Sequence, residues 1–136
     1  MIIGLGEDLV DIVRIEKLID NKADRFLQKC FTTREIARAD MHNQRDRKIA
    51  YFAKRFAAKE ACLKALGTGM REGLSWQDMS IGNDDLGRPI LEISGGVATK
   101  LEKIVPPGKI PHIHVTLSDE AGLAKATVIL EALSKP

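Results

Sequence analysis

The 136-residue sequence has few cysteines, no long apolar run and almost no excess of charge. Its two cysteines, Cys30 and Cys62, form no CxxC pair and have no histidine at a metal-ligand spacing, which argues against a zinc site and a disulfide framework. With 21 basic and 19 acidic residues, the net charge of +2 neither indicates nor excludes nucleic-acid binding. Where the charges lie along the chain therefore matters more than their sum.

Membrane and targeting signals are also missing. No apolar run reaches the roughly 18 residues that a membrane helix needs, and the apolar opening segment is interrupted by Glu7 and Asp8. We therefore expect a cytoplasmic protein without a membrane partner. Because 44% of the residues are hydrophobic, residues 1–136 are expected to form one domain with a substantial core.

The sequence does contain a series of short elements and one long helix. Residues 2–10 predict a buried strand, residues 45–66 a long helix that stops at Gly67, and residues 112–117 and 123–130 a hairpin. Shorter elements are predicted at residues 12–19, 32–41, 79–82, 89–93 and 97–104, and a broken helical segment through Phe26 and Phe31 follows the first of them. The predicted fold class is α+β, with a small antiparallel sheet packed on one long helix plus shorter helices.

Glu60 occupies an unexpected position on the long helix. At helical periodicity it falls near the middle of an apolar stripe formed by Ile49, Phe52, Ala53, Phe56, Leu63 and Gly67. A carboxylate among apolar neighbours loses hydration, so it requires a cation or hydrogen-bond donors. Two interpretations are open: an i,i+4 pair with Lys64, as on many helices, or a metal ligand.

Two glycines interrupt the first strand, IIGLGEDLV. Gly4, Gly6 and Asp8 share one face of that strand, opposite Leu5 and Glu7. The glycines leave either a track for a ligand beside the Asp8 carboxylate or room for close packing of the long helix. They are not part of a dinucleotide fingerprint, because no GxGxxG segment opens a helix here.

The segment HIHVTLSD, residues 112–119, alternates between polar and apolar side chains. His112, His114, Thr116 and Ser118 fall on one face of the predicted strand. A zinc site is disfavoured because no third ligand is suitably spaced. The polar face is either exposed to solvent or turned towards an anion.

A basic run opens the long helix. It contains Arg45, Arg47, Lys48, Lys54 and Arg55, opposed by Asp46 alone. Such a run is ordinarily a solvated helix face. It could instead hold a nucleotide phosphate or an RNA backbone.

Three segments together carry a family resemblance. GLGEDLVDIVR is similar to the pattern G-x-G-x-D followed by Arg, RFAAKEACLKALGTG resembles R-F-A-x-K-E-A-x-x-K-A-x-G-T-G, and HVTLSD resembles a C-terminal H-V-S/T-x-S/T strand. In this order and spacing they resemble the holo-acyl-carrier-protein synthase family of 4'-phosphopantetheinyl transferases. The resemblance covers nearly the whole chain.

The resemblance implies an activity and a metal site. A serine of apo acyl carrier protein would attack coenzyme A and take up 4'-phosphopantetheine, releasing 3',5'-ADP, in fatty acid biosynthesis. Asp8 and Glu60 match the family's Mg²⁺ ligands, and Lys64 matches the lysine that contacts the diphosphate. These three residues would be the catalytic set, since metal and lysine would stabilise the charge of the transferred group.

The resemblance also implies how coenzyme A and neighbouring chains are arranged. The residues matching coenzyme A contacts are Lys48, Arg55, Lys64, Gly67, Thr68, Gly69 and His114. The family forms homotrimers with active sites between subunits, so ligands from the first strand and the long helix could come from different chains. Alanines at 58, 61 and 65 would permit close packing of the helix.

Carrier protein would be bound by the first helix and the segment after it. The corresponding basic and apolar residues are Arg14, Leu18, Lys22, Arg25, Phe26 and Lys29. They suit an acidic partner helix. Asp20, Asn21 and Asp24 dilute this charge, and Glu7 is an unusual acid that alternation turns away from the metal site.

Two other functions remain open from the residues alone. A non-catalytic coenzyme A or nucleotide binder would use the same basic helix, and so would an RNA-binding module on residues 45–59. Because the family is not one of nucleic-acid binders, no nucleic-acid partner is expected.

Overall fold

The computed structural model describes all 136 residues, apart from the side chain of Ala23. Its helices are α1 (Ile12–Cys30), α2 (Thr33–Ala39), α3 (Arg45–Ala65), a short 3₁₀ helix (Trp76–Asp78) and α4 (Gly95–Ile104). Its strands are β1 (Ile2–Asp11), β2 (Met79–Asn83), β3 (Pro89–Ile93), β4 (Lys109–Glu120) and β5 (Leu123–Ser134). The predicted α+β class is confirmed.

The main sheet has the strand order β1-β5-β4, and every pair in it is antiparallel. Its inner face packs on α3 through buried side chains of β5, namely Ala124, Ala126, Val128, Leu130 and Ala132. The alternate residues of the three strands form the outer face, where the side chains are exposed or half-buried. Strands β2 and β3 form a separate hairpin.

Glycines let β1 approach the backbone of α3. A Cβ at Gly6 would lie 1.9 Å from the carbonyl oxygen of Ala61, and one at Gly4 would lie 2.2 Å from that of Ala65. A side chain at either position would therefore force the strand away from the helix. The close-packing interpretation of these glycines is confirmed, so they do not form a ligand track.

A buried ion pair joins four parts of the chain beneath α3. The Lys59 ammonium donates to Glu35 Oε1 (2.6 Å), to the Cys30 carbonyl (2.7 Å) and to the Trp76 carbonyl (3.3 Å). Glu35 Oε2 accepts from the backbone N–H of Ile81 (2.9 Å). The charges of Lys59 and Glu35 are thus compensated although neither side chain is exposed. This pair was not predicted from the sequence.

Most predicted boundaries agree with the structure within a few residues. The capping box at Thr32 and Glu35 is present, and Gly67 adopts the expected left-handed conformation (φ 75°) after α3. The predicted helix 12–19 and the broken helical segment after it correspond to one helix, α1, which continues to Cys30 with a kink at Lys22. In the part of the chain that the structure describes, no helix is both long and apolar enough to cross a membrane.

Candidate active site

The close contact between β1 and α3 brings Asp8 to the last turns of the long helix. The Lys64 ammonium donates to Asp8 Oδ1 (2.9 Å) and to the Glu7 carbonyl (3.0 Å). The Asp8 side chain is only 15% exposed. Asp8 and Lys64 of the same chain therefore meet without a neighbouring subunit. The i,i+4 interpretation of Lys64 is corrected, since its ion-pair partner is Asp8 rather than Glu60.

Glu60 faces the same site, where the charged form of its carboxyl group is destabilised. Its burial, and next the negative charge of Asp8, raise the pKa of the Glu60 carboxyl, while Lys64 and Arg14 lower it. The hydrogen bond to Asp8 raises the pKa of Lys64. Two neighbouring carboxylates, one of them partly desolvated, form a site that a dication would stabilise.

The donor set fits Mg²⁺ better than a metal bound by protein ligands alone. No group of three or more His, Cys, Asp or Glu residues that could hold an ion occurs among the described residues. Mg²⁺ typically uses one or two carboxylates and completes its octahedron with substrate phosphate and water. Asp8 and Glu60 match that requirement.

A second pocket, of about 450 Å³, lies near the middle of α3. The Arg55 guanidinium stacks over the Tyr51 ring at 3.8 Å from its centroid and donates to Asn83 Oδ1 (3.2 Å). Burial lowers the pKa of Arg55. Its Nε is buried and has no hydrogen-bond partner within the described chain. An incompletely satisfied buried guanidinium is suited to an anion such as a phosphate.

The other basic residues of the run separate in space. Arg47 and Lys54 line the Arg55 pocket, and Lys54 pairs with Asp119 (3.0 Å). Lys48 is not brought there, because it pairs with Asp40 (2.6 Å). Three of these cations already pair with carboxylates: Arg45 with Asp20, Lys48 with Asp40 and Lys54 with Asp119. The helix therefore does not present the continuous basic face that RNA binding would need.

Sequence reasoning missed part of this pocket. Arg38 of α2 and Asn83 of β2 also line it. Both lie far from the basic run in the sequence, and no local periodicity connects them to it. Only the packing of α2 and the β2–β3 hairpin against α3 brings them together.

The loop after α3 begins directly after Lys64 and Ala65, next to the carboxylate site. Gly67 and Gly69 are exposed with open space where a Cβ would lie. Thr68 is buried, and its backbone N–H donates to the Leu63 carbonyl (3.0 Å). The exposed glycines leave room for a ligand to pass close to the backbone beside Lys64.

Similarity to known proteins identifies the family of this chain. Residues 4–113 match the model of the 4'-phosphopantetheinyl transferase superfamily. The chain belongs to this family. A holo-acyl-carrier-protein synthase from Rhizobium leguminosarum bv. trifolii is 51% identical over 133 residues, covering 98% of this chain and 97% of the relative.

Solved structures of holo-acyl-carrier-protein synthases have the same fold as this transferase. That from Neisseria meningitidis has a TM-score of 0.82 at 34% identity, covering 96% of this chain and 99% of the other. That from Bacillus anthracis, in complex with coenzyme A (3',5'-ADP), has a TM-score of 0.77 at 34% identity and covers 98% and 99%.

His114 lies away from both pockets of the transferase chain. It is on the outer face of the sheet, where its Nε2 is 3.0 Å from Glu131 Oε1. The apolar residues between the polar ones of β4 face inwards, as alternation predicted. A single chain therefore does not bring His114 together with Arg55. Glu7 also faces outwards and accepts from Thr127 (3.2 Å), as expected for a side chain that avoids the metal site.

The proposed carrier-binding residues of the transferase are divided by the kink in α1. Arg14, Leu18 and Lys22 line a shallow groove of about 370 Å³. Arg25 and Lys29 are exposed beyond the kink, whereas Phe26 packs against Phe56. Asp20, which was expected to dilute the positive charge, is itself bound by Arg45.

Proposed function

We propose that this transferase moves 4'-phosphopantetheine from coenzyme A to a serine of apo acyl carrier protein, releasing 3',5'-ADP. Its relatives are holo-acyl-carrier-protein synthases, one of them solved with coenzyme A. The observation that carries the proposal is the convergence of Asp8, Glu60 and Lys64, which come from distant parts of the chain. The cytoplasmic location and single-domain organisation expected from the sequence stay predictions.

Asp8 and Glu60 are proposed to hold Mg²⁺ together with the diphosphate of coenzyme A. A bound Mg²⁺ would supply charge stabilisation for the phosphate oxygens during transfer. Lys64 would exchange partners when substrate binds. The Lys64 ammonium, which pairs with Asp8 in this structure, would donate to the diphosphate and stabilise negative charge on the leaving oxygen.

Arg55 is proposed to hold the 3'-phosphate of coenzyme A. Its buried Nε without a partner, its fixed position over Tyr51 and the nearby Arg38 and Arg47 all favour a phosphate. Gly67, Thr68 and Gly69 would border the path of coenzyme A beside Lys64. This assignment replaces Lys48 by Arg38 and Arg47 in the phosphate pocket.

A homotrimer with sites between subunits would resolve one geometric problem. Arg55 and Glu60 are five residues apart, which in an α-helix corresponds to a rotation of about 140° and an advance of about 7.5 Å. The two pockets of one chain therefore open on different sides of α3. We infer that one coenzyme A binds the carboxylate site of one subunit and the Arg55 pocket of its neighbour.

The decisive experiment measures the mass of an apo carrier protein after incubation with coenzyme A and Mg²⁺. We expect a gain of phosphopantetheine that a chelator abolishes. Asp8→Asn and Glu60→Gln should each lower kcat/KM roughly 100-fold or more, a loss of about 3 kcal/mol in transition-state stabilisation. Glu92→Gln, which removes an exposed carboxylate on β3, is the matched control and should keep its activity.

Calorimetry of Mg²⁺ binding in the presence of coenzyme A gives a second readout. Both carboxylate variants should lose this binding heat, while the control retains it. Full activity of both variants would contradict the metal assignment. Coenzyme A binding without any gain in carrier mass would instead identify a non-catalytic binder.

A further inference from the structure

Three basic side chains surround a pocket that neither the metal site nor the Arg55 pocket includes. Arg71, Lys100 and Lys103, called the α4 cluster below, line a cavity of about 310 Å³ between the loop after α3 and helix α4. None of the three forms an ion pair with a carboxylate in the described part of the chain. One acid, Glu72, lines the same cavity, so the local excess of charge is positive.

The backbone around this cavity is held in place by glycine contacts. A Cβ at Gly96 would lie 2.0 Å from the carbonyl oxygen of Gly73, so the loop and the first turn of α4 touch through their backbones. A Cβ at Gly95 would lie 2.5 Å from Asp78 Oδ1. The α4 cluster therefore has a fixed position relative to the loop and the 3₁₀ helix, which reduces the ordering cost of binding.

The α4 cluster borders the active site on one side. Thr68 lines its cavity and lies in the loop proposed to border coenzyme A, a few residues after Lys64. The charged groups of coenzyme A already have proposed partners, at Arg55 for the 3'-phosphate and at Lys64 and the metal for the diphosphate. The remaining pantetheine arm is neutral, so it does not account for three unpaired cations.

The same cluster is connected to the carrier-binding surface through the 3₁₀ helix. The Gln77 side chain donates to the Gln28 and Phe31 carbonyls at the end of α1, and the Ser94 N–H donates to the Asp78 carbonyl (2.8 Å) just before α4. One short element therefore separates α1 from α4. A standard interface covers about 800 Å² on each partner. An interface of that size would extend beyond α1 to neighbouring elements.

We propose that the α4 cluster is a second docking point for the carrier protein, binding acidic side chains on its surface. The inference rests on the proposed function, since the carrier serine must reach Asp8 and Glu60. Cations on α1 and on α4 would then flank the reacting serine. Paired attraction on two sides fixes the orientation of a partner, whereas one patch alone leaves it free to rotate.

The test compares two variants that each remove two lysine charges. Lys100→Gln/Lys103→Gln removes most of the α4 cluster, and Lys109→Gln/Lys135→Gln removes one half-buried and one exposed lysine charge at the open end of the β4–β5 hairpin. Labelled apo carrier is titrated into each protein without coenzyme A, and steady-state kinetics are measured with both substrates varied. The first variant should weaken carrier binding and raise the carrier KM about fivefold, because rim charges contribute modestly.

The kcat and the coenzyme A KM of that variant should stay unchanged, and its carrier affinity should depend less on salt than that of the wild type. Equal carrier affinities of the two double variants would overturn the proposal. A raised coenzyme A KM with an unchanged carrier KM would also overturn it, by assigning the cavity to the donor. The titration measures carrier binding without any transfer reaction. A wild-type protein that binds carrier but transfers nothing would therefore count against the proposed function, and not against docking at the α4 cluster.

Discussion

Lys59 illustrates at the scale of one residue how the core constrains the site. Its ammonium has no exposed surface and makes three hydrogen bonds, and burial lowers its pKa against the opposing effect of Glu35. The next residue in α3 is Glu60. The contacts of Lys59 with α1, α2 and the 3₁₀ helix therefore fix the rotation of α3, and with it the direction in which Glu60 points.

Replacement of Lys59 by methionine should strongly destabilise the fold. Lys59→Met keeps the side-chain volume but leaves the Glu35 carboxylate buried without an opposite charge, which costs about 3 to 5 kcal/mol. Urea unfolding followed by circular dichroism measures the change. In the double variant Lys59→Met/Glu35→Gln the uncompensated charge is gone, so part of the stability should return. A loss below about 1 kcal/mol in the single variant would show that Lys59 is not essential to the core.

At the scale of elements, the fold depends on the contact between β1 and α3. The sheet packs on the helix through small residues, and Gly6 allows the strand to touch the backbone at Ala61. Asp8 follows Gly6 by two residues on the same strand face. The separation of the two elements therefore sets the distance between Asp8 and Glu60.

Gly6→Ala should lower both stability and activity. The new methyl group would meet backbone atoms that cannot rotate away, and overpacking of this kind costs about 1 to 3 kcal/mol. Transfer activity should fall in the fraction that stays folded, because Asp8 moves away from Glu60. The matched control is Gly82→Ala in β2, where the nearest atom is the end of the Arg34 side chain at 3.5 Å. Similar unfolding midpoints for the two variants would contradict the packing explanation.

Elements with a strong local pattern were predictable from the sequence, and contacts between elements were not. Strand β1, helix α3 and the β4–β5 hairpin have clear periodicity and turn residues, so their type and position were predicted. A broken helical segment through Phe26 and Phe31 was predicted after the first helix, but its joining to that helix as one kinked α1 was not, because Phe26 is held by Phe31 and Phe56 rather than by helical patterning.

The same limit applies to the candidate site. Asp8, Glu60 and Lys64 were found because their motifs match those of a family, whereas the roles of Arg38 and Arg71 depend on distant packing. The Lys59–Glu35 pair gives no local signal either, because its two charges lie on different helices.

For the whole molecule, the outer face of the main sheet indicates assembly. Leu5 is 65% exposed and Leu9 is 59% exposed in the single chain. Ile129 of the central strand β5 pairs with Leu5 and lies on the same face. Exposed large apolar side chains on a sheet face are typical of a protein interface, although polar side chains such as Glu7 and His114 share this face. It supports the proposed homotrimer.

Leu5→Glu/Leu9→Glu should dissociate the proposed homotrimer, because two charges would be placed among the leucines of the proposed interface. Light scattering coupled to size exclusion measures the mass, and transfer activity should fall with it if each site needs two subunits. Leu86→Glu, at the tip of the β2–β3 turn and 91% exposed, is the matched control and should leave the mass unchanged. A monomeric wild-type protein with full activity would refute the shared site.

The pairing of β1 with β5 has a consequence for biosynthesis. The strand that carries Asp8 is made before helices α1 to α4, yet it hydrogen-bonds along its length to β5, which follows all of them in the sequence. A nascent chain that has already formed α3 still lacks the partner that aligns Asp8 with Glu60. Catalytic competence should therefore arise abruptly, once β5 has left the ribosome, rather than increase gradually during translation.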